Sequence, residues 1–223
     1  MVKYTYIISV RLEGEIMKKL ITISREYGSG GRVIGKMVAE KLGVPLYHKE
    51  IIDMAARESG LSPEIIESAE LAAKSSFSYT LSSAVSFGEG FGGEAISMNE
   101  KLFLAQFDVI TEIGEKGAGV IVGRCADYVL RDDPDVTNVF IYGEKEDKIQ
   151  RCIKEYGDDE ATIEKKMATY DKARRNYYNY HTSRKWGEYQ NYDLAINSSL
   201  VCEEGACDII INYINAREKL ADK

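Results

Sequence analysis

Histidine and proline are scarce in this sequence, and cysteine never recurs at metal-binding spacing. Three prolines leave no proline-rich linker between folded units. The four cysteines (Cys125, Cys152, Cys202, Cys207) form no CxxC pair. With only two histidines to assist, no zinc site is expected and no metal ligand is assigned. Reduced thiols and a cytoplasmic location are the expectation. No apolar run approaches the length needed to cross a bilayer, so no membrane partner is expected. The first residues lack a long apolar stretch followed by small residues, so no secretory signal is expected. Positive charge is also short: 29 Lys and Arg face 36 Asp and Glu, a net −7. That balance argues against broad nucleic-acid binding. An acidic protein still binds an anion where the local site supplies the positive potential.

What is present suits one large domain with a small lid. A second methionine, Met17, stands directly before Lys18, Lys19 and the first apolar run. Residues 1–16 are therefore expected to be an extension, and residues 17–223 a single domain. A chain starting at Met17 is expected to unfold at the same temperature and denaturant midpoint as the whole; a large loss of stability would refute this.

Leu20 to Ser24 is short, apolar and β-branched, as a buried strand is. Val33, Ile34, Met37, Val38 and Leu42 then recur at helical spacing up to Gly43. A short strand over Val44 to Tyr47 and a helix over Glu50 to Ser59 follow. Ser62-Pro63 predicts the start of another helix, running to about Lys74. The serine- and glycine-rich stretch near 75–98 predicts a mobile insertion. A helix is expected over Asn99 to Lys116, strands over Gly119 to Gly123 and Val136 to Tyr142, and charged helices over Lys145 to Tyr156 and Asp159 to Tyr180. A last strand over Leu194 to Asn197 and a closing helix over Cys207 to Lys219 complete the pattern. Apolar strands alternating with helices predict an α/β fold of three layers, with a mostly parallel sheet between helices.

The strongest chemical signal is Ser24-Arg25-Glu26-Tyr27-Gly28-Ser29-Gly30-Gly31-Arg32 at the first strand-to-helix junction. Glycines let main-chain N–H groups converge on a phosphate, and the positive end of the helix favours it. The match to G-x-x-x-x-G-K-[ST] is partial. Gly30 fits the second glycine, Arg25 stands at the first, and Gly31 and Arg32 replace the lysine and the Mg²⁺-holding hydroxyl. Arg25 and Arg32 are the groups expected to replace the lost charge. A metal here would be held by water, by ligand oxygens and by Ser29 or Asp127, and the sequence offers no clear magnesium ligand.

Ile21 to Arg32, Ala39 to Gly43, Leu46 to Ile52, Val120 to Asp127, Trp186-Gly187 and Tyr192 to Ser199 together resemble the cytidylate kinase-like family, over roughly residues 17–215. The resemblance implies a P-loop kinase-like core, a helical lid near 150–190, ATP with Mg²⁺, and phosphoryl transfer to a nucleoside monophosphate such as CMP or dCMP. It implies catalytic roles for Arg32, Arg124 and Arg175. It places Arg25, Gly28, Ser29, Gly30, Gly31 and Arg32 on the nucleotide, Arg151, Arg174 and Arg175 on the lid, and Asp53, Arg124 and Asp127 on the acceptor. Cys125 stands where relatives carry an Asp, and His48 where an Asp is common. Structural alternatives stay open for each: ion pairs for the arginines, an exposed carboxylate at Asp53, lid packing for the Tyr177 to Tyr192 aromatic cluster. That cluster could equally hold a second copy of the chain. Three functions remain distinct: a nucleotide kinase, a nucleotide-binding protein without transfer, and a kinase of another small metabolite.

Overall fold

The structure, a computed structural model, describes residues 19–59 and 98–221. The expected extension over 1–16, the helix beginning at Ser62 and almost all of the 75–98 insertion lie outside the described residues.

Strand β1 (Lys19–Arg25) alternates its side chains between two cores. Ile21 and Ile23 face one core, and Leu20 faces the other. On either side of β1 lie β3 (Ala118–Val122) and β4 (Thr137–Tyr142), both parallel to it. The edges are β2 (Leu46–Tyr47) beside β3 and β5 (Leu194–Asn197) beside β4, again parallel. The order is β2-β3-β1-β4-β5, so every described strand pair is parallel. The chain leaves β1 toward one edge and β4 toward the other, and a crevice opens beyond the ends of those strands.

Helix α1 (Gly31–Leu42) covers one face together with the last helix, α7 (Ser198–Ala221). Ile34 and Val38 meet Cys207, Ile210 and Ile214 over the strands. Gly35 sets the spacing: a Cβ there would lie 3.1 Å from Val122 Cγ2 and 3.2 Å from Ile23 Cδ1. A Cβ there would make those side chains give by a few tenths of an ångström. The helix ends where the glycine predicted it. Gly43 takes φ +66, with Gly43 N–H donating to Glu40 C=O and Val44 N–H to Ala39 C=O.

The other face carries α2 (Glu50–Ser59), α3 (Met98–Lys116) and the single-turn α4 (Ala126–Val129). Ile51, Ala55, Val109, Ile110 and Ile113 fill that core. Beyond β4, α5 (Lys145–Tyr156) and α6 (Ile163–Thr182) pack on each other through Cys152, Ile163 and Met167. No helix among the described residues is long and apolar enough to cross a membrane.

Several boundaries differ from expectation. The second strand is two residues, not four, because Pro45 has no N–H to give the ladder. The helix expected from Asp159 starts at Ile163, since Asp159 accepts from Ala161 N–H in a turn (3.1 Å). The closing helix begins at Ser198 and breaks at Cys202, where φ is 51 and ψ −177. A periodicity search misses that first turn because its side chains, such as the exposed Leu200, do not face the core.

Candidate functional site

The turn between β1 and α1 is held by four separate anchors. Glu26 N–H extends the β1–β4 ladder to Ile141 C=O at 3.0 Å. The Glu26 carboxylate accepts from Lys148 Nζ (2.6 Å) and from Gly143 N–H (3.4 Å). Tyr27 N–H donates to Asp171 Oδ1 of α6 at 2.8 Å. Arg151 Nη1 donates to Gly28 C=O at 2.8 Å, while its Nε lies 2.6 Å from Glu203 Oε1 in an ion-pair contact. Gly28 and Gly30 take φ +77 and +76, which glycine adopts without strain. The first intrahelical bond of α1 is Ile34 N–H to Gly30 C=O at 3.0 Å. The N–H groups before it therefore point out of the helix end.

This end of α1 borders a cleft of about 320 Å³. Arg25, Gly28, Gly30, Gly31 and Arg32 line it, as do Arg174, His48 and Lys166. A second cavity of about 60 Å³ adjoins it beyond β1 and β3; Ser24, Arg124, Cys125 and Trp186 line it. Arg25 and Arg174 line both spaces.

The remaining expected site residues fall elsewhere. Ser29 is fully buried, and its hydroxyl donates to Glu26 C=O at 2.9 Å. Arg151 sits behind the turn and holds its shape. Arg175 is exposed, with its guanidinium 5.7 Å from the Trp186 ring centroid, and lines neither space. Asp53 is exposed on α2 and lines neither space. Asp127 is buried, and its Oδ2 accepts from Tyr178 Oη at 2.6 Å. Arg124 Nη1 donates to the His48 carbonyl at 2.5 Å.

Three residues of the site carried no sequence signal. Lys166 reaches the cleft from α6, pairs with Asp158, and lies 5.7 Å from the Tyr27 ring centroid. The hydrogen bond it donates to Asp158 raises its pKa, so it stays charged. Asp171 holds both the Tyr27 N–H and Arg174 Nη1 (2.9 Å). Burial still raises its pKa, because desolvation outweighs the arginine beside it. Lys148 completes the Glu26 anchor. All three lie more than a hundred residues from the glycine turn, so no local motif contains them.

Burial also pushes Asp127 up to about 6 from an ordinary 3.8, against the opposing hydrogen bond from Tyr178. The fold thus prefers the protonated acid. Its stabilising effect is complete below about pH 4 and is lost as pH rises through 6, amounting to about 3 kcal/mol by neutral pH. Asp127→Asn keeps an acceptor for Tyr178 and removes the titration. Urea midpoints are expected to put the variant about 2 kcal/mol above the wild type at pH 7 and level with it at pH 4. Equal stability at pH 7 would contradict the burial argument.

A triphosphate fits this cleft: glycines at positive φ, N–H groups facing outward, and Arg25, Arg32, Lys166 and Arg174 around them. A protein-held Mg²⁺ does not follow. Among the described residues no three acids, histidines or cysteines converge, Ser29 is turned inward, and Asp127 is closed off by Tyr178. A magnesium ion would come with the nucleotide, held by phosphate oxygens and water.

The parallel β2-β3-β1-β4-β5 sheet between two helical layers, with a glycine turn joining the central strand to its helix, defines a P-loop kinase-like protein. The chain belongs to the cytidylate kinase-like family, whose profile matches residues 20–200. An uncharacterized protein from Eubacterium ventriosum is 30% identical, with 89% of this chain and 99% of that chain covered and a TM-score of 0.66. Shikimate kinase from Acinetobacter baumannii shares the fold at 14% identity, with 90% and 94% covered and a TM-score of 0.50. Shikimate kinase from Bacteroides thetaiotaomicron does so at 12%, with 88% and 98% covered and a TM-score of 0.50. No curated protein matches the chain.

Proposed function

We propose that this protein transfers the terminal phosphoryl group of ATP to a small acceptor. One observation carries the reading: the glycine turn opens on a cleft where Arg25, Arg32, Lys166 and Arg174 converge from three separate elements. Phosphoryl transfer needs little covalent chemistry from the protein. Positioning and charge neutralisation supply most of the catalysis, and this cleft offers both. The missing P-loop lysine is replaced by side chains arriving from β1, α1 and α6. Family membership supports CMP or dCMP as the acceptor. The small cavity beside Arg124 supports a smaller metabolite. Four free thiols accord with work in the cytoplasm.

The test is ADP release. Protein, Mg²⁺ and ATP are incubated with a panel of acceptors, and ADP is measured. ATP binding without ADP from any acceptor would leave a nucleotide-binding protein that has lost transfer. Binding itself is tested at the turn. Arg32→Ala is expected to weaken ATP about 10- to 100-fold, the worth of a charge-assisted phosphate contact. Gly30→Val is expected to weaken it as well, because a Cβ there would lie 2.9 Å from Glu203 Oε1. Unchanged affinity in both variants would discard the phosphate cradle.

A further inference from the structure

We propose that His48 is the proton acceptor of the transfer, and that the acceptor molecule is a small compound carrying a hydroxyl group and one anionic group. The proposal rests on the phosphotransferase reading above. A phosphate acceptor is already ionised near neutral pH and attacks without losing a proton. A hydroxyl must shed its proton as it attacks, so it needs a base within hydrogen-bond reach.

Among the described residues lining the larger cleft, His48 is the group suited to that task. Glu26 is occupied by Lys148 Nζ, and Asp158 by Lys166 Nζ. His48 Nε2 lies 3.3 Å from Arg25 Nη2. A guanidinium only donates, so Nε2 carries the lone pair and Nδ1 the proton. In the free protein that lone pair accepts from Arg25, and it becomes open to the acceptor hydroxyl when the guanidinium turns to the bound phosphates; Glu26 and Asp158 stay paired with lysines. The backbone of His48 is pinned on both sides: its C=O accepts from Arg124 Nη1, and its N–H donates to Glu50 Oε2 at 2.9 Å. A base held this way keeps its position while a substrate arrives.

The charges around the ring make it responsive. Arg25 from β1, Arg124 from the end of β3 and Arg32 from α1 face it, with Glu50 of α2 opposing them. Burial, and then these arginines, push its pKa down to about 3. The ring is therefore neutral in the free protein. A bound triphosphate would neutralise the guanidiniums and restore basicity when it is needed.

The adjoining cavity supplies the second half. Its volume is about 60 Å³, and Arg25, Arg124 and Arg174 line it. Three guanidiniums lining one small space suit a single anionic group, a carboxylate or a phosphate. In the step itself, the acceptor oxygen forms a bond to the γ-phosphorus and the bond to the β–γ bridging oxygen breaks. ADP leaves with that electron pair, the hydroxyl proton passes to His48 Nε2, and the imidazolium later releases it to water.

Two measurements test this. The chain has two histidines, so NMR titration of the imidazole signals, assigned with His48→Gln, follows the ring directly. The His48 midpoint is expected to rise by at least one on the pH scale when a non-hydrolysable ATP analogue binds with Mg²⁺; a midpoint that stays put overturns the proposal. ADP release is then compared for CMP and dCMP, for gluconate and shikimate, and for glycerol 3-phosphate and glucose 6-phosphate. Release with a hydroxy acid points to a carboxylate in the small cavity, and release with a sugar phosphate to a phosphate. His48→Gln is expected to lower kcat about 10²- to 10⁴-fold and to abolish the acid limb of its pH profile. ATP affinity should stay within about threefold, and added imidazole should rescue His48→Ala. If no acceptor on the panel reacts, slow hydrolysis with water as the hydroxyl carries the same comparison. Transfer to CMP or dCMP alone, or a wild-type rate and pH profile in His48→Gln, overturns the proposal and leaves the phosphotransferase reading intact. Failure of the wild type to bind Mg²⁺-ATP overturns both.

Discussion

Gly28→Val is expected to abolish ATP binding and to destabilise the protein by about 3–5 kcal/mol, the sum of a strained φ and an overpacked contact. Gly28 has φ +77, which a β-branched residue adopts only under strain. Its new Cβ would lie 2.8 Å from Cys152 Sγ and 2.9 Å from Lys148 C=O. The second contact is helix backbone, so relief requires moving α5. That movement would break the Arg151 bond to Gly28 C=O and the Lys148 bond to Glu26 together. The melting temperature should fall by roughly 10 °C for a domain of this size. Gly43→Ala is the control. It also has positive φ, +66, but nothing lies within 4 Å of its Cβ. It should cost only about 1 kcal/mol and leave ATP affinity unchanged. Equal losses in both variants would show that φ alone, not the clash with α5, decides the effect.

Arg174→Ala is expected to lower the phosphoryl-transfer kcat about 10²- to 10³-fold, the scale of losing one charge donor aimed at the transition state. Arg174 is the α6 arginine that lines both the larger cleft and the small cavity. A guanidinium there can follow the phosphoryl group from donor to acceptor. Arg175→Ala should stay within about threefold, because that side chain lies over Trp186 and away from both spaces. The neighbouring pair thus tests whether the residue lining both spaces, rather than the one over Trp186, carries the effect on kcat. Arg174 also steadies Asp171, which holds Tyr27 N–H. A loss confined to KM, with kcat intact, would mean that the arginine only organises the turn. Asp171→Asn separates the cases: it keeps an acceptor for Tyr27 N–H but weakens the grip on Arg174.

Arg151, Arg174 and Arg175 all read as lid arginines in charged helices, with Arg175 alone also expected to be catalytic. The fold sends them to three tasks. Arg151 faces the back of the turn and Glu203, Arg174 faces the clefts, and Arg175 faces Trp186. A helix rotates its side chains by about 100° per residue, so adjacent arginines cannot share a target. The same geometry separates Asp53, out on α2, from Asp127, sealed beneath Tyr178. Lys166 shows the converse, an unremarked lysine in a charged helix that the α5–α6 packing delivers to the cleft.

The sequence by itself determined the parallel α/β sheet and the glycine turn. Both rest on local signals, an apolar strand, a 3.6-residue helical period and glycines at fixed spacing, that act within about twenty residues. Only the tertiary structure decided which charges meet the turn. Lys148, Lys166, Asp171 and Arg174 approach it across more than a hundred residues, on helices whose rotation is set by apolar contacts such as Cys152 with Ile163 and Met167. Burial then settled protonation, keeping His48 neutral and favouring the protonated Asp127. That depends on surrounding low-dielectric volume, which exists only after the chain has folded.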